Sequence, residues 1–151
     1  MKLFKFLGTG FLFGVLTVML SSCQRDSPCE RYYIPENFTG EVTVYYEQEK
    51  GQKKLDSEKC IVHNISDSGN CFSAWPYQKD GTIVTPGKTY RFFLVDSNGI
   101  VATEIFDFNA SEHPEDVSAD KKKYIGRYFG GVRNGKYVSG FYVGYRANFV
   151  N

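Results

Sequence analysis

Apolar and polar positions alternate most regularly over Glu41-Val42-Thr43-Val44-Tyr45-Tyr46. Val42, Val44 and Tyr46 then share one face, the period of a half-buried strand. The charged stretch Glu47 to Glu58 contains Gly51 and reads as a loop. Cys60-Ile61-Val62-His63-Asn64-Ile65 reads as a second strand, Asp67-Ser68-Gly69-Asn70 as a turn, and Cys71-Phe72-Ser73 as the start of a third. Pro86-Gly87 marks a further turn. Thr89 to Val95 and Ile100 to Phe108 are β-rich runs flanking Asp96-Ser97-Asn98-Gly99. Asn-Gly supplies the positive φ angles of a hairpin turn. Asn109 to Lys123 is polar, contains Pro114 and predicts a longer excursion with one short helical turn. Two aromatic runs close the chain, Tyr124–Phe129 and Tyr137–Val150, separated by Gly130-Gly131 and Asn134-Gly135. No long amphipathic helix is evident. Short strands at close spacing predict an all-β fold, a small antiparallel β-sandwich or barrel.

The first 22 residues follow a different pattern. Lys2 and Lys5 precede an apolar run from Phe6 to Leu20, which ends in Ser21, Ser22 and Cys23. A positive start, a short apolar core and small residues at the end make a cleavable secretory signal. The run is shorter than the roughly 20 residues that span a bilayer. Leu20-Ser21-Ser22-Cys23 resembles a lipobox, in which the cysteine receives a diacylglycerol and becomes the first mature residue. The expected organisation is a signal over residues 1–22, a lipidated tether over 23–31 and a β-sandwich-like domain over 32–151. Palmitate and other acyl chains on Cys23 anchor the protein to a membrane of the cell envelope, because each buried methylene contributes about 0.8 kcal/mol. Gln24 follows the cysteine in place of the Asp that favours inner-membrane retention, so the outer membrane is expected if the source is Gram-negative.

Composition narrows the function classes. Without residues 1–22 the chain carries 16 Lys and Arg against 17 Asp and Glu, and so has no basic surplus for nucleic acid. Lys121-Lys122-Lys123 follows several acids and reads as a solvated loop of mixed charge.

Tyr33-Ile34-Pro35-Glu36-Asn37-Phe38-Thr39-Gly40-Glu41-Val42-Thr43-Val44-Tyr45-Tyr46 resembles the opening of an uncharacterised bacterial domain family, which begins Tyr/Ile-Pro-x-x-Phe/Tyr-x-Gly-x-Val-x-Val-x-Tyr, frequently just after a lipobox. Ile65-Ser66-Asp67-Ser68-Gly69 resembles its Ile-Pro-x-x-Gly turn, with Ser66 in place of the usual Pro, and Gly140-Phe141-Tyr142-Val143-Gly144 resembles its closing strand. The resemblance implies a β-rich envelope domain and no particular activity.

Three cysteines remain beyond Cys23 in a compartment where disulfides persist. Cys60 and Cys71 flank one predicted turn, so a Cys60–Cys71 bridge is expected, with Cys29 left over in the tether. Cys60-x-x-His63 with Cys71 falls short of the usual four zinc ligands, and no metal or other cofactor is expected. Asp96-x-Asn98-Gly99 lacks the later Glu of a calcium loop and reads as the hairpin turn. Neither a nucleophile elbow nor a phosphate loop is present, so no catalytic residue is named and the chain is expected not to be an enzyme. Trp75-Pro76-Tyr77 lies between predicted strands. Trp75 and Tyr77 are the candidate binding residues there, toward a protein or glycan partner, and capping of the core is the stronger reading of the same rings. The expected function is a non-catalytic binding or structural module. An inhibitor of an envelope hydrolase is the alternative, and an enzyme on envelope polymers, marked by a deep cleft with two close carboxylates, is the third.

Overall fold

The computed structural model describes residues 29–77, 89–108 and 122–150. The signal, Cys23, most of the tether, the Pro86-Gly87 turn and nearly all of the excursion after Asn109 lie outside these residues. Among the described residues nine strands follow in order: β1 Cys29–Pro35, β2 Gly40–Tyr45, β3 Lys54–Leu55, β4 Ile61–Asn64, β5 Asn70–Phe72, β6 Thr89–Val95, β7 Val101–Ile105, β8 Lys123–Arg133 and β9 Lys136–Tyr145. A short 3-10 turn, Arg146–Asn148, comes after them.

The strands form two sheets, β3-β4-β1-β6-β7 (sheet A) and β5-β2-β9-β8 (sheet B). The all-β class is therefore present, but the sheets are mixed rather than antiparallel. β1 pairs in parallel with β4 and β6, and β2 with β5. The cause is the chain path. After β1 the chain crosses to sheet B for β2 and returns to sheet A for β3 and β4. Parallel neighbours cannot be joined by a tight hairpin, and each parallel pair here is separated along the chain by strands of the other sheet.

The core is the set of residues that alternation aims between the sheets. Tyr32 and Ile34 from β1, Phe92 and Leu94 from β6, Val42 and Val44 from β2, and Phe141 and Val143 from β9 are all buried there. Tyr32 stacks on Phe92 at 5.0 Å between ring centroids and meets Phe141 edge-on at 5.2 Å. Both margins of the sandwich are laced. Gln52 bridges Ser73 between the β3 and β5 margins, and Asp107 bridges Ile125 between those of β7 and β8. The sheets thus meet at each edge, and the fold is a flattened barrel.

The strand expected over 41–46, the 67–70 turn and the hairpin around Asn98-Gly99 are observed. Asp96 Oδ1 accepts the backbone N–H of Asn98 and Ile100, each at 2.8 Å, which closes the hairpin. Two expectations are corrected. The tether does not extend to Arg31, because β1 begins at Cys29. Gly130-Gly131 does not separate strands but lies within β8.

Candidate functional site

The deepest polar cluster grows from the parity of β1. Glu30 is in phase with Tyr32 and Ile34, so its carboxylate points into the core and is only 6 % exposed. The parallel register sets Tyr32 beside His63 of β4, and their rings stack at 4.8 Å. His63 is fully buried. Its Nε2 lies 3.3 Å from Glu30 Oε2, an ion-pair distance but out of line for a hydrogen bond. Tyr32 donates its hydroxyl to the same oxygen. From the opposite sheet, Cys71 brings Sγ to 3.9 Å from His63 Nδ1. Tyr46 and Ser139 share a hydrogen bond of 2.8 Å.

Cysteine, histidine and carboxylate thus stand in the order that a thiol nucleophile uses, but not in its environment. A nucleophilic cysteine needs a thiolate and access for the substrate. Cys71 is 1 % exposed, and burial together with the charge of Glu30 pushes its thiol up to about 12. Burial likewise holds Tyr32 and Tyr46 well above the ordinary phenol range. The Cys71 thiol and the Tyr32 and Tyr46 phenols keep their protons, and the cluster ties the two sheets together.

The Cys60–Cys71 bridge expected from spacing does not form. Cys60 is bonded to Cys29, with the Cα atoms 4.8 Å apart, and Cys71 is a free buried thiol. The register explains the exchange. Glu30 pairs with Ile61, so the residues before them, Cys29 and Cys60, are neighbours across a parallel ladder. Cys71 lies in the other sheet, facing the core. The disulfide also removes Cys60 from any zinc set with His63 and Cys71. No cluster of three metal-ligating side chains occurs among the described residues.

An open cleft of about 600 Å³ lies where β7 and β8 diverge. Leu94, Ile105 and Tyr124 contribute apolar surface, while Glu36, Glu104 and Lys123 bring charge. Glu104 is engaged by Arg91 through two hydrogen bonds, of 2.8 and 2.7 Å. That guanidinium holds its carboxyl below the usual range, so Glu104 stays ionised and is a poor proton donor. Lys123 departs from the solvated loop expected of its basic run. It is half-buried and donates to the carbonyls of Glu36 and Phe38, binding the β1–β2 turn to β8. Burial lowers its pKa.

Trp75 and Tyr77 do not protrude as a pair. Trp75 is half-buried, with Lys53 Nζ 5.4 Å from its ring centroid. Its indole nitrogen is enclosed without a hydrogen-bond partner among the described residues. Tyr77 stacks on Tyr137 at 5.0 Å and packs on the core. Glu30 and Lys123 were missed by sequence reasoning. The signal for Glu30 was its two-residue phase with Tyr32 and Ile34, hidden because a charge reads as an outward position.

These features define a class: a small, flattened β-barrel stapled by a disulfide at its first strand, with its polar groups drawn into a closed core cluster. Within that class, the chain belongs to a family of unknown function, DUF6843, whose model matches residues 27–125. In fold it is similar to the crystal structure of a candidate lipoprotein from Bacillus anthracis. The TM-score is 0.50 and the identity 18%, over 78% of this chain and 69% of that one. No curated protein matches the chain.

Proposed function

We propose that this chain is a lipid-anchored protein of the cell envelope that works as a non-catalytic binding or structural module. The observation that carries the reading is the position of the disulfide. Cys29 opens β1 only six residues after Cys23 and is bonded to Cys60. Six residues of chain span at most about 20 Å, so a lipid on Cys23 holds the barrel close against the membrane. A staple at that point resists local opening of the strand that bears the load. The disulfide suits an oxidising compartment outside the cytosol. The Bacillus anthracis protein of similar fold is described as a candidate lipoprotein, which agrees with an envelope location. A thiol pushed up to about 12 and closed from solvent favours a non-catalytic role.

The test is the Cys23→Ser variant beside the wild type. The wild type is expected in the membrane fraction, with a diacylglycerol-bearing N-terminal peptide in its mass spectrum. The variant is expected to lose both. A wild-type N-terminus that is unmodified, or cleaved elsewhere, would sink the anchoring.

A further inference from the structure

The outer face of sheet B carries a set of cations laid on aromatic rings. Val42, Val44 and Phe141 point into the core, so Thr43, Tyr45 and Gly140 point outward, as does Phe129, which pairs with Gly140. Phe129 lies flat against Gly140, where a Cβ would come within 2.2 Å of the ring. Arg133 covers Phe129 at 5.0 Å, and Arg127 lies over Tyr142 at 5.6 Å. Lys136 stands 5.9 Å from Tyr45, whose ring stacks on Phe72 at 5.1 Å. Phe72 remains 49 % exposed. Against these three exposed cations the face sets Glu41, which takes one bond from Arg133 at 2.8 Å. The mature chain has no net positive charge, so this local excess reflects segregation rather than composition. Guanidiniums already held on rings lose less freedom on binding, and they present paired donors to carboxylates or phosphates.

The geometry points to this face as a binding surface for an anionic glycan of the envelope, a sugar chain bearing repeated carboxylates or phosphates. The cations meet the charges, and the Tyr45–Phe72 pair offers an open aromatic face to a sugar ring. Position favours a glycan over a lipid surface. Glu30, Tyr32 and Ile34 face the core, so Cys29 lies on the outer face of sheet A, on the far side of the barrel. Anchoring through Cys23 brings the chain into the barrel on that side, which favours sheet B facing away from the membrane. This choice of partner rests on the anchoring proposed above.

The test uses the intact mature protein in detergent solution, so that glycan binding is read whether or not Cys23 carries lipid. The probes are a polyuronate, neutral dextran, polyglutamate and phosphatidylglycerol vesicles, with affinity measured by titration at two salt concentrations. The polyuronate is expected to bind, more weakly in high salt, and dextran not to bind. Combined Arg127→Gln, Arg133→Gln and Lys136→Gln substitution is expected to weaken polyuronate binding at least about tenfold. Phe72→Ala is expected to weaken the polyuronate several-fold without affecting polyglutamate. Unchanged thermal unfolding of each variant separates these losses from misfolding, and a variant that unfolds is replaced by its single substitutions. No polyuronate binding, or binding indifferent to the triple substitution, would overturn the proposal. Polyglutamate binding as tight as polyuronate would assign the face to an acidic protein, and tighter vesicle binding through the same residues would assign it to lipid. Either result overturns the glycan while leaving the lipid on Cys23 to its own test.

Discussion

Cys71 shows how far position alters a single side chain. In water its thiol would titrate near 9.0, and in the core burial pushes it up to about 12. The folded protein thus keeps a proton that the unfolded chain gives up in that window. The associated stability is fully present below about pH 9 and is lost as pH rises through about 12. Tyr32 and Tyr46, raised by burial beside Glu30, act in the same direction. The melting temperature is expected to hold level from pH 7 to 9 and then fall, and Cys71→Ala is expected to make that fall shallower. A thiol reagent at pH 8 is expected to label Cys71 only after denaturation. Rapid labelling of the native protein would show that the cluster is open to solvent. The sequence exposes Cys71 and His63 as residues, but not that Glu30 joins them, because that contact depends on β1 pairing with β4.

At the scale of elements, the disulfide is the feature that the chain order concealed. A bridge between Cys60 and Cys71 would close a short loop, whereas the observed pair is separated by 31 residues. The chain-entropy estimate for that longer loop is about 3–4 kcal/mol. Cys60→Ser is expected to cost about that much in urea unfolding and to leave Cys29 reactive. Cys71→Ser is expected to keep the disulfide, visible as an intact Cys29–Cys60 peptide pair after digestion without reductant. A Cys71→Ser protein with no disulfide would reverse the assignment. Two-residue alternation made β2 legible, and local turn chemistry the β6–β7 hairpin and the Asn134-Gly135 turn. β1 was not legible, since its inward set begins with Glu30 and its partners in β4 lie 31 positions further along the chain, as in Glu30 with Ile61. Parallel pairing leaves no turn between partners to mark it. β3 escaped for another reason: it has two residues, both exposed, inside a charged stretch.

Closure of the barrel governs how the whole molecule moves, and its two seams are unequal. At the first, Gln52 N donates to Phe72 O at 2.6 Å, Ala74 N to Gln52 O at 2.9 Å and Gln48 N to Ser73 O at 2.9 Å. The Gln52 side chain adds bonds to the backbone of Asn64, at 2.9 and 3.0 Å. The second seam holds by Phe108 N to Ile125 O at 2.9 Å and Ile125 N to Phe106 O at 3.0 Å, beside an open cleft. β7 on that side exposes Val101, Ala102 and Thr103 to solvent. Local opening follows the element with fewest buried contacts. Native-state hydrogen exchange is therefore expected to find the Phe108 and Ile125 amides opening before those of Gln52 and Ala74, with β1 and β9 protected up to global unfolding. Gln52→Ala, which removes three bonds to Asn64, two of them to its backbone, is expected to cost about 1–2 kcal/mol and to narrow the gap between the seams. Equal protection at both seams would mean that the barrel opens only as a unit. Earlier exchange at the second seam would make the cleft the part of the molecule that can widen while the stapled first strand, nearest Cys23, stays closed.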